Sequence, residues 1–224
     1  MISVIVPVYN EEKILSENKE DLRKLSKTCE LIFVDGGSSD GSAIIAASLG
    51  FVLTSRKGRS IQMNAGARHA RCDTLFFLHA DALVSPGTLN SIEEKTITQN
   101  LIGGCLSQQL SNRNFIFRLI ELFGNLRARF TKIFYADQGI FVRRDIFHRI
   151  GGFPEVPLME DAIFSRRLKR TGNTAVLPQK IFVSTRRWDK KGVLKTIALQ
   201  SFINILFMLK LPLNSISRIY GDLR

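Results

Sequence analysis

Thr74-Leu75-Phe76-Phe77-Leu78-His79-Ala80-Asp81 is a short apolar run that ends on a single acid. Leu75 to Leu78 is too short for a helix and is built of large apolar groups, which suits a strand buried on both faces of a parallel sheet. His79, Ala80 and Asp81 then stand at its carboxyl end, the edge at which open α/β sheets bind ligands. Two readings of Asp81 follow. It is a carboxylate that holds a divalent cation against a diphosphate, or a cap for the turn at Ser85-Pro86-Gly87.

Upstream, the same pattern repeats. Ile2 to Val8 is a β-branched strand, with Pro7 tolerated because the strand is finishing there. Glu11 to Thr28 has helical spacing (Ile14, Leu22, Leu25). Leu31 to Val34 is a second strand, ending in Asp35. Asp40 follows a glycine-serine loop and can cap a helix from Ser42 to Leu49. Phe51 to Thr54 is a third strand, and Ile61 to Ala70 a helix of small residues. Strands and helices alternating at this rhythm predict βαβ units and a mostly parallel sheet flanked by helices, an α/β fold.

The second half is less regular. Phe115 to Phe134 combines phenylalanine and arginine, with apolar residues at helical spacing that suit either a core helix or the wall of an acceptor groove. Gly139 to Val142 reads as a strand and Glu160 to Arg170 as a basic helix. Ala175 to Leu177 and Ile181 to Val183 read as two short strands. Val193 to Leu211 is a strongly apolar helix stopped by Pro212. Thr196, Gln200 and Asn204 share one of its faces, and Arg186, Arg187, Lys190 and Lys191 precede it. Three readings fit: a helix lying in a membrane interface, a helix docked on the domain, and a span. His69 and His148 lie in helical stretches and read as structural.

The chain of 224 residues carries a net charge of +12. Residues 1–112 hold 11 basic and 12 acidic side chains, whereas residues 113–224 hold 21 and 8. That asymmetry points to a polyanionic partner on one side, a nucleic acid or an anionic membrane surface. No helix-turn-helix or RNP-like pattern supports nucleic acid. Cys29, Cys72 and Cys105 are widely spaced and read as buried free thiols of a reducing compartment. Met1-Ile2-Ser3 runs straight into a strand without a basic n-region, so a cytoplasmic protein is expected.

In a parallel sheet the four strand ends of the first half meet along one edge. They bring Tyr9 and Glu11, Asp35 with Gly36-Gly37, Arg56 to Arg59, and His79 to Asp81. An aromatic ring, acids, open backbone and basic groups together suit a nucleotide. Neither a dinucleotide G-x-G-x-x-G nor a P-loop is present.

Four segments in order carry a specific resemblance: Val4-Ile5-Val6-Pro7-Val8-Tyr9-Asn10-Glu11, Val34-Asp35-Gly36-Gly37-Ser38-Ser39-Asp40-Gly41, Leu78-His79-Ala80-Asp81 and Met159-Glu160-Asp161. Together they resemble the inverting family 2 glycosyltransferases of the GT-A fold, over residues 1–190, with 191–224 as a C-terminal helical appendage near a membrane. Leu-His-Ala-Asp, Asp137-Gln138-Gly139 and Pro157 to Asp161 also resemble a smaller bacterial subgroup associated with arsenosugar biosynthesis. The resemblance implies that Pro7, Tyr9 and Glu11 line the nucleotide pocket, that Asp35 meets the base, and that Arg59 and Asn64 touch base or phosphates. It implies that Asp81 is the last acid of D-x-D and binds Mg²⁺ or Mn²⁺, and that Asp161 is the base that deprotonates an acceptor hydroxyl. The donor is then a UDP- or GDP-sugar, and the acceptor a hydroxyl compound, lipid-linked or close to an anionic membrane.

Two departures matter. His79 replaces the first acid of D-x-D and leaves one carboxylate for the metal, so that either metal affinity is weakened or His79 faces the ribose or phosphate instead. Processive synthases carry Q-x-x-R-W, and here Arg187-Trp188 follow Ser184 in place of the Gln, which implies single-sugar transfer. Glu160, Arg187 and Trp188 are assigned to the acceptor side, Trp188 stacking on a sugar and Arg187 meeting a phosphate. The rival readings are a non-catalytic, membrane-bound relative, favoured by His79, and a nucleotidyltransferase, whose basic glycine-rich loop is missing.

Overall fold

The computed structural model describes residues 1–223 except 187, 189–191 and 210. Its centre is one eight-stranded sheet of order β3-β2-β1-β4-β7-β6-β8-β5. The strands are β1 (Ile2–Val8), β2 (Glu30–Asp35), β3 (Phe51–Thr54), β4 (Thr74–Phe77), β5 (Ala82–Leu83), β6 (Gly103–Leu110), β7 (Ile140–Arg143) and β8 (Thr174–Val183). β1 pairs in parallel with both β2 and β4, β2 with β3, and β6 with β8. β7 is antiparallel to its neighbours β4 and β6, and β5 is antiparallel to β8. The sheet is therefore parallel in its first half, as expected, and mixed in its second.

This topology decides where chemistry gathers. β4, β6 and β8 run in one direction and β7 runs against them. The carboxyl ends of β4, β6 and β8 thus meet the amino end of β7 at one edge. The chain enters β7 through a single 3₁₀ turn, Ala136–Gln138.

The helices are α1 (Glu12–Glu17), α2 (Lys19–Ser26), α3 (Ser42–Ala47), α4 (Arg59–His69), α5 (Pro86–Thr98), α6 (Phe115–Thr131), α7 (Arg144–Arg149), α8 (Glu160–Thr171), α9 (Val193–Met208) and α10 (Leu213–Leu223). Fully apolar strand faces give the sheet a core on each side: Val4, Val6, Phe33 and Phe76 belong to one cluster, Ile5, Val34, Leu75 and Phe77 to the other.

Several local expectations are corrected. The helix predicted over 11–28 breaks at Asn18, whose side-chain amide leaves the helix to donate to the Ala80 carbonyl at 2.9 Å. Ser85-Pro86-Gly87 opens α5 rather than a turn, with Pro86 at its first position, where no donor is needed. Ala175–Leu177 and Ile181–Val183 are one strand with an irregularity opposite Leu106/Ser107. β6, Gly-Gly-Cys-Leu-Ser-Gln-Gln-Leu, carries no β-branched residue and gives no strand signal in sequence. The last apolar helix ends at Met208, and Pro212 accepts the first bonds of α10.

For Phe115 to Phe134, the core-helix reading holds on one side only. α6 buries Phe117 and Ala128 and packs Ile116 and Ile120 against the core, but leaves Phe115, Leu122, Phe123, Leu126 and Phe130 exposed. α9 docks on the domain through Ile203 and Phe207, which pack with Met159 and Ala162. The Arg166 guanidinium lies 4.4 Å from the Phe207 ring. Among the described residues no helix is long and apolar enough to cross a membrane.

Candidate active site

At that sheet edge lies a cavity of ≈ 240 Å³. Six of the residues expected from sequence line it: Arg59, His79, Asp81, Glu160, Asp161 and Trp188. Asp81 stands beyond β4, and its carbonyl receives the Ser184 N–H at 3.3 Å. Among the described residues, no hydrogen bond or ion pair holds its carboxylate. It caps nothing at α5, whose Ser85 hydroxyl lies 3.0 Å from that of Thr88.

Glu160 and Asp161 begin α8. The residue before them, Met159, has φ 65°, a left-handed conformation that costs a side-chain-bearing residue roughly 1–2 kcal/mol. This turn aims both acids inward: Glu160 is 5% and Asp161 9% exposed. Asp161 accepts the Ala136 N–H at 2.9 Å and the Ala162 N–H at 2.7 Å. Burial raises its carboxyl above the ordinary carboxylate range, against the pull of these amides. Burial and then the Asp161 charge raise Glu160, although Arg59 Nη1 lies 3.5 Å from its carboxylate.

Asp137, Tyr135, Gln200 and Asn204 also line the cavity, without a site role in the sequence reading. Asp137, in the 3₁₀ turn, accepts a hydrogen bond from Gln108 Nε2 at 2.8 Å. Its enclosure and then the Asp161 charge push its carboxyl up, with a smaller contribution from Asp81, although it meets the solvent of the cavity. Tyr135 donates its hydroxyl proton to Asn204 of α9 at 2.5 Å, and the Arg127 guanidinium covers its ring at 4.0 Å. Gln200 and Asn204 of the polar stripe on α9 therefore look into the cavity. Only the pairing of β7 with β4 brings Asp137 beside Asp81, a neighbourhood without a local sequence signal.

Pro7, Tyr9, Glu11, Asp35 and Asn64 do not line this cavity. The first four lie where β1 and β2 end, in two interlocked loops. Asp35 accepts from the backbone of Gly37 and Ser38, both at 3.0 Å, and from the Ser38 hydroxyl at 2.5 Å. Asn10 accepts the Ser39 N–H, Glu11 donates its N–H to Ser42 Oγ, and Asp40 receives the N–H groups of Glu12 and Ser42. The Tyr9 ring faces Lys57 Nζ at 3.9 Å. Pro7 pairs with Val34 inside the sheet. Asn64 bonds both backbone groups of Phe153, at 2.8 and 3.0 Å. The helix start Gly58-Arg59 joins the two groups, with Lys57 at one and Arg59 at the other. Arg187 lies outside the described residues. Trp188 meets Phe117 edge to face, ring centres 6.2 Å apart.

The three cysteines are free; Cys105 is buried, and Cys29 and Cys72 are half-buried. Burial pushes the Cys29 thiol up to about 12. Among the described residues no three metal-ligating side chains are gathered. Asp81 and Asp137 supply two hard oxygen donors on one cavity, a set that suits Mg²⁺ or Mn²⁺ when a substrate adds further oxygens.

Residues 3–152 match the sequence model of glycosyl transferase family 2. Undecaprenyl-phosphate 4-deoxy-4-formamido-L-arabinose transferase of Shewanella sediminis is 32% identical over 107 residues, 42% of this chain and 32% of the relative. The enzyme of the same name from Edwardsiella ictaluri is 28% identical over 155 residues, 63% of this chain and 48% of the relative. The chain thus spans less than half the length of these curated relatives. Among solved structures, a mannosyltransferase of Pyrobaculum calidifontis in complex with GDP-Man and Mn²⁺ superimposes with a TM-score of 0.69 at 20% identity, covering 90% of this chain and 61% of the other. S. aureus TarS 1–349 in complex with UDP-GlcNAc gives 0.64 at 19%, covering 82% and 58%.

Proposed function

This chain belongs to glycosyl transferase family 2 and has the GT-A fold, and from that premise we propose that it moves a single sugar, with inversion, from a nucleoside-diphosphate sugar to a hydroxyl acceptor. The observation that carries the reading is Asp161: a buried carboxylate fixed by two backbone N–H groups, on the same small cavity as Asp81. A carboxylate whose proton affinity burial has raised is a better general base near neutral pH. Asp161 takes the acceptor hydroxyl proton. The acceptor oxygen bonds to the anomeric carbon as the carbon–oxygen bond to the diphosphate breaks, and the electron pair leaves with the nucleoside diphosphate.

A cavity of ≈ 240 Å³ is smaller than the roughly 300 Å³ and more of sites that enclose a whole drug-sized ligand. It suits the sugar and the reacting oxygen. The nucleoside then lies toward the loops of Tyr9 and Asp35, with Lys57 and Arg59 between for the phosphates. Pro7, Glu11, Asn64 and His79 shape that path. Asp81, with Asp137, would hold Mg²⁺ or Mn²⁺; the bound ion offsets the charge that builds on the departing diphosphate. The Mn²⁺ complex of the Pyrobaculum neighbour supports a divalent ion.

The names of the curated relatives support a lipid-linked acceptor. Four carboxylates, Asp81, Asp137, Glu160 and Asp161, share the cavity with Arg59, and Arg59 is engaged by Glu160. Trp188 and Glu160 stand on the acceptor side, and the polar stripe of α9 closes that side as part of a C-terminal appendage beyond residue 190.

Calorimetric titration with UDP and GDP, with and without Mn²⁺, tests the reading on wild type and Asp161→Asn. The expected result is metal-dependent binding of one nucleotide by both proteins, and sugar transfer by wild type alone. Loss of nucleotide binding in Asp161→Asn overturns the base assignment.

A further inference from the structure

Among the described residues the outer face of α6 has no partner in the fold. Phe115 is 75%, Leu122 51%, Phe123 66%, Leu126 37% and Phe130 84% exposed. On a helix these five positions fall within an arc of about 100°. The opposite side of the same helix packs on the sheet through Phe117 and Ala128, and Asn125 bonds the backbone of Gln108 in β6. The helix is thus apolar on two sides and covered on one. A contiguous row of large apolar side chains on the surface marks an interaction site.

Charge identifies the partner. The one acid of α6, Glu121, is turned inward, where it receives the Leu110 N–H and pairs with Arg118 at 2.6 Å. Arg113 before the helix and Arg129 on its last turn are exposed. Lys169 Nζ donates to the Thr131 carbonyl at 3.0 Å, which brings the exposed basic residues of α8 to the carboxyl end of α6. Large apolar groups within a rim of lysine and arginine, with the acid withdrawn, match the acyl–headgroup boundary of an anionic bilayer.

We propose that the outer face of α6 docks in the plane of an anionic lipid surface, with Phe123 and Phe130 as its main anchors. This goes beyond the transfer reaction and does not depend on Asp161 being the base. It also gives the cavity its place. Arg127 of α6 stacks on Tyr135, and Tyr135 bonds Asn204 of α9. The docked helix is thereby tied to the wall of the cavity, so a lipid-linked acceptor would be met close to the bilayer.

The test is co-sedimentation of the full chain with vesicles of phosphatidylcholine alone and with about 30% phosphatidylglycerol, at low and high salt. Wild type is expected to bind the anionic vesicles, and less at high salt. Phe123→Ser/Phe130→Ser should lower the partition coefficient at least about tenfold, whereas Phe123→Leu/Phe130→Leu should not. Nucleotide binding and thermal midpoint should be unchanged in both variants, which separates lost docking from lost folding or a failed donor site. The proposal is overturned if wild type ignores anionic vesicles or if the serine variant binds as wild type does. It is equally overturned if wild type is a dimer that the serine substitutions dissociate, the face then being covered by a second copy.

Discussion

Replacing Gln62 by Met should loosen the nucleotide side of the fold without altering the cavity acids. Gln62 lies on α4 and is 4% exposed. Its Nε2 donates to the carbonyls of Val8 and Val34, both at 2.8 Å, and so ties the ends of β1 and β2 together just before the loops of Tyr9 and Asp35. Its Oε1 accepts the Gly58 N–H at 3.4 Å, a weak bond. Methionine keeps the length and the apolar stem but removes the donor. The Val8 carbonyl retains the Gly36 N–H at 2.9 Å, so it is not left unpaired. Two hydrogen bonds at about 0.5–1.5 kcal/mol each give a loss of about 1–3 kcal/mol. For a chain of this size about 2 kcal/mol corresponds to a fall of roughly 4–8 °C in thermal midpoint. Scanning calorimetry reads the midpoint, and titration with the bound nucleotide reads affinity, which should also fall as the two loops lose their common anchor. A midpoint within about 1 °C of wild type, with unchanged affinity, would refute the claim that Gln62 holds the strand ends.

Three further changes probe other parts of the molecule. The raised carboxyls of Glu160 and Asp161 favour the protonated form in the folded state. Their contribution to stability is complete below the ordinary carboxylate range and is lost as pH rises through their folded values. Glu160→Gln removes one of these charges, so melting points measured between acid and neutral pH should fall less with rising pH than in wild type. A steeper fall refutes the sign. Gly104→Ala would place a Cβ 2.0 Å from the Ala175 carbonyl oxygen and 2.8 Å from the Phe141 ring. It should prevent β6 from seating between β7 and β8, costing about 3 kcal/mol or more in urea unfolding. Gly87→Ala meets nothing within 4 Å at the start of α5 and should be neutral or gain up to about 1 kcal/mol in the same assay.

How much was legible in the sequence differs along the chain for physical reasons. β1, β2 and β4 are buried on both faces, so their residues are apolar in unbroken runs that can be seen without a structure. Asp35 and Asp81 were visible because each follows such a run, and Asp161 because it opens a helix within the Met159-Glu160-Asp161 motif. β6 was not, because Gly103 and Gly104 are required by close backbone approach, and Ser107 and Gln108 carry hydrogen bonds rather than apolar contact. The exposure of the α6 stripe was equally hidden, since helical periodicity states that a face is apolar and not what covers it.

The sequence by itself determined the parallel half of the sheet, the order of the acids and the family, because these depend on residues close together in the chain. Tertiary structure alone decided that β7 runs against β4 and brings Asp137 to Asp81, and that α9 turns Gln200 and Asn204 into the cavity. It also decided which side of α6 is left uncovered. Each of these depends on the pairing of segments far apart in sequence, and local patterns of hydrophobicity carry no record of which distant segment a face will meet.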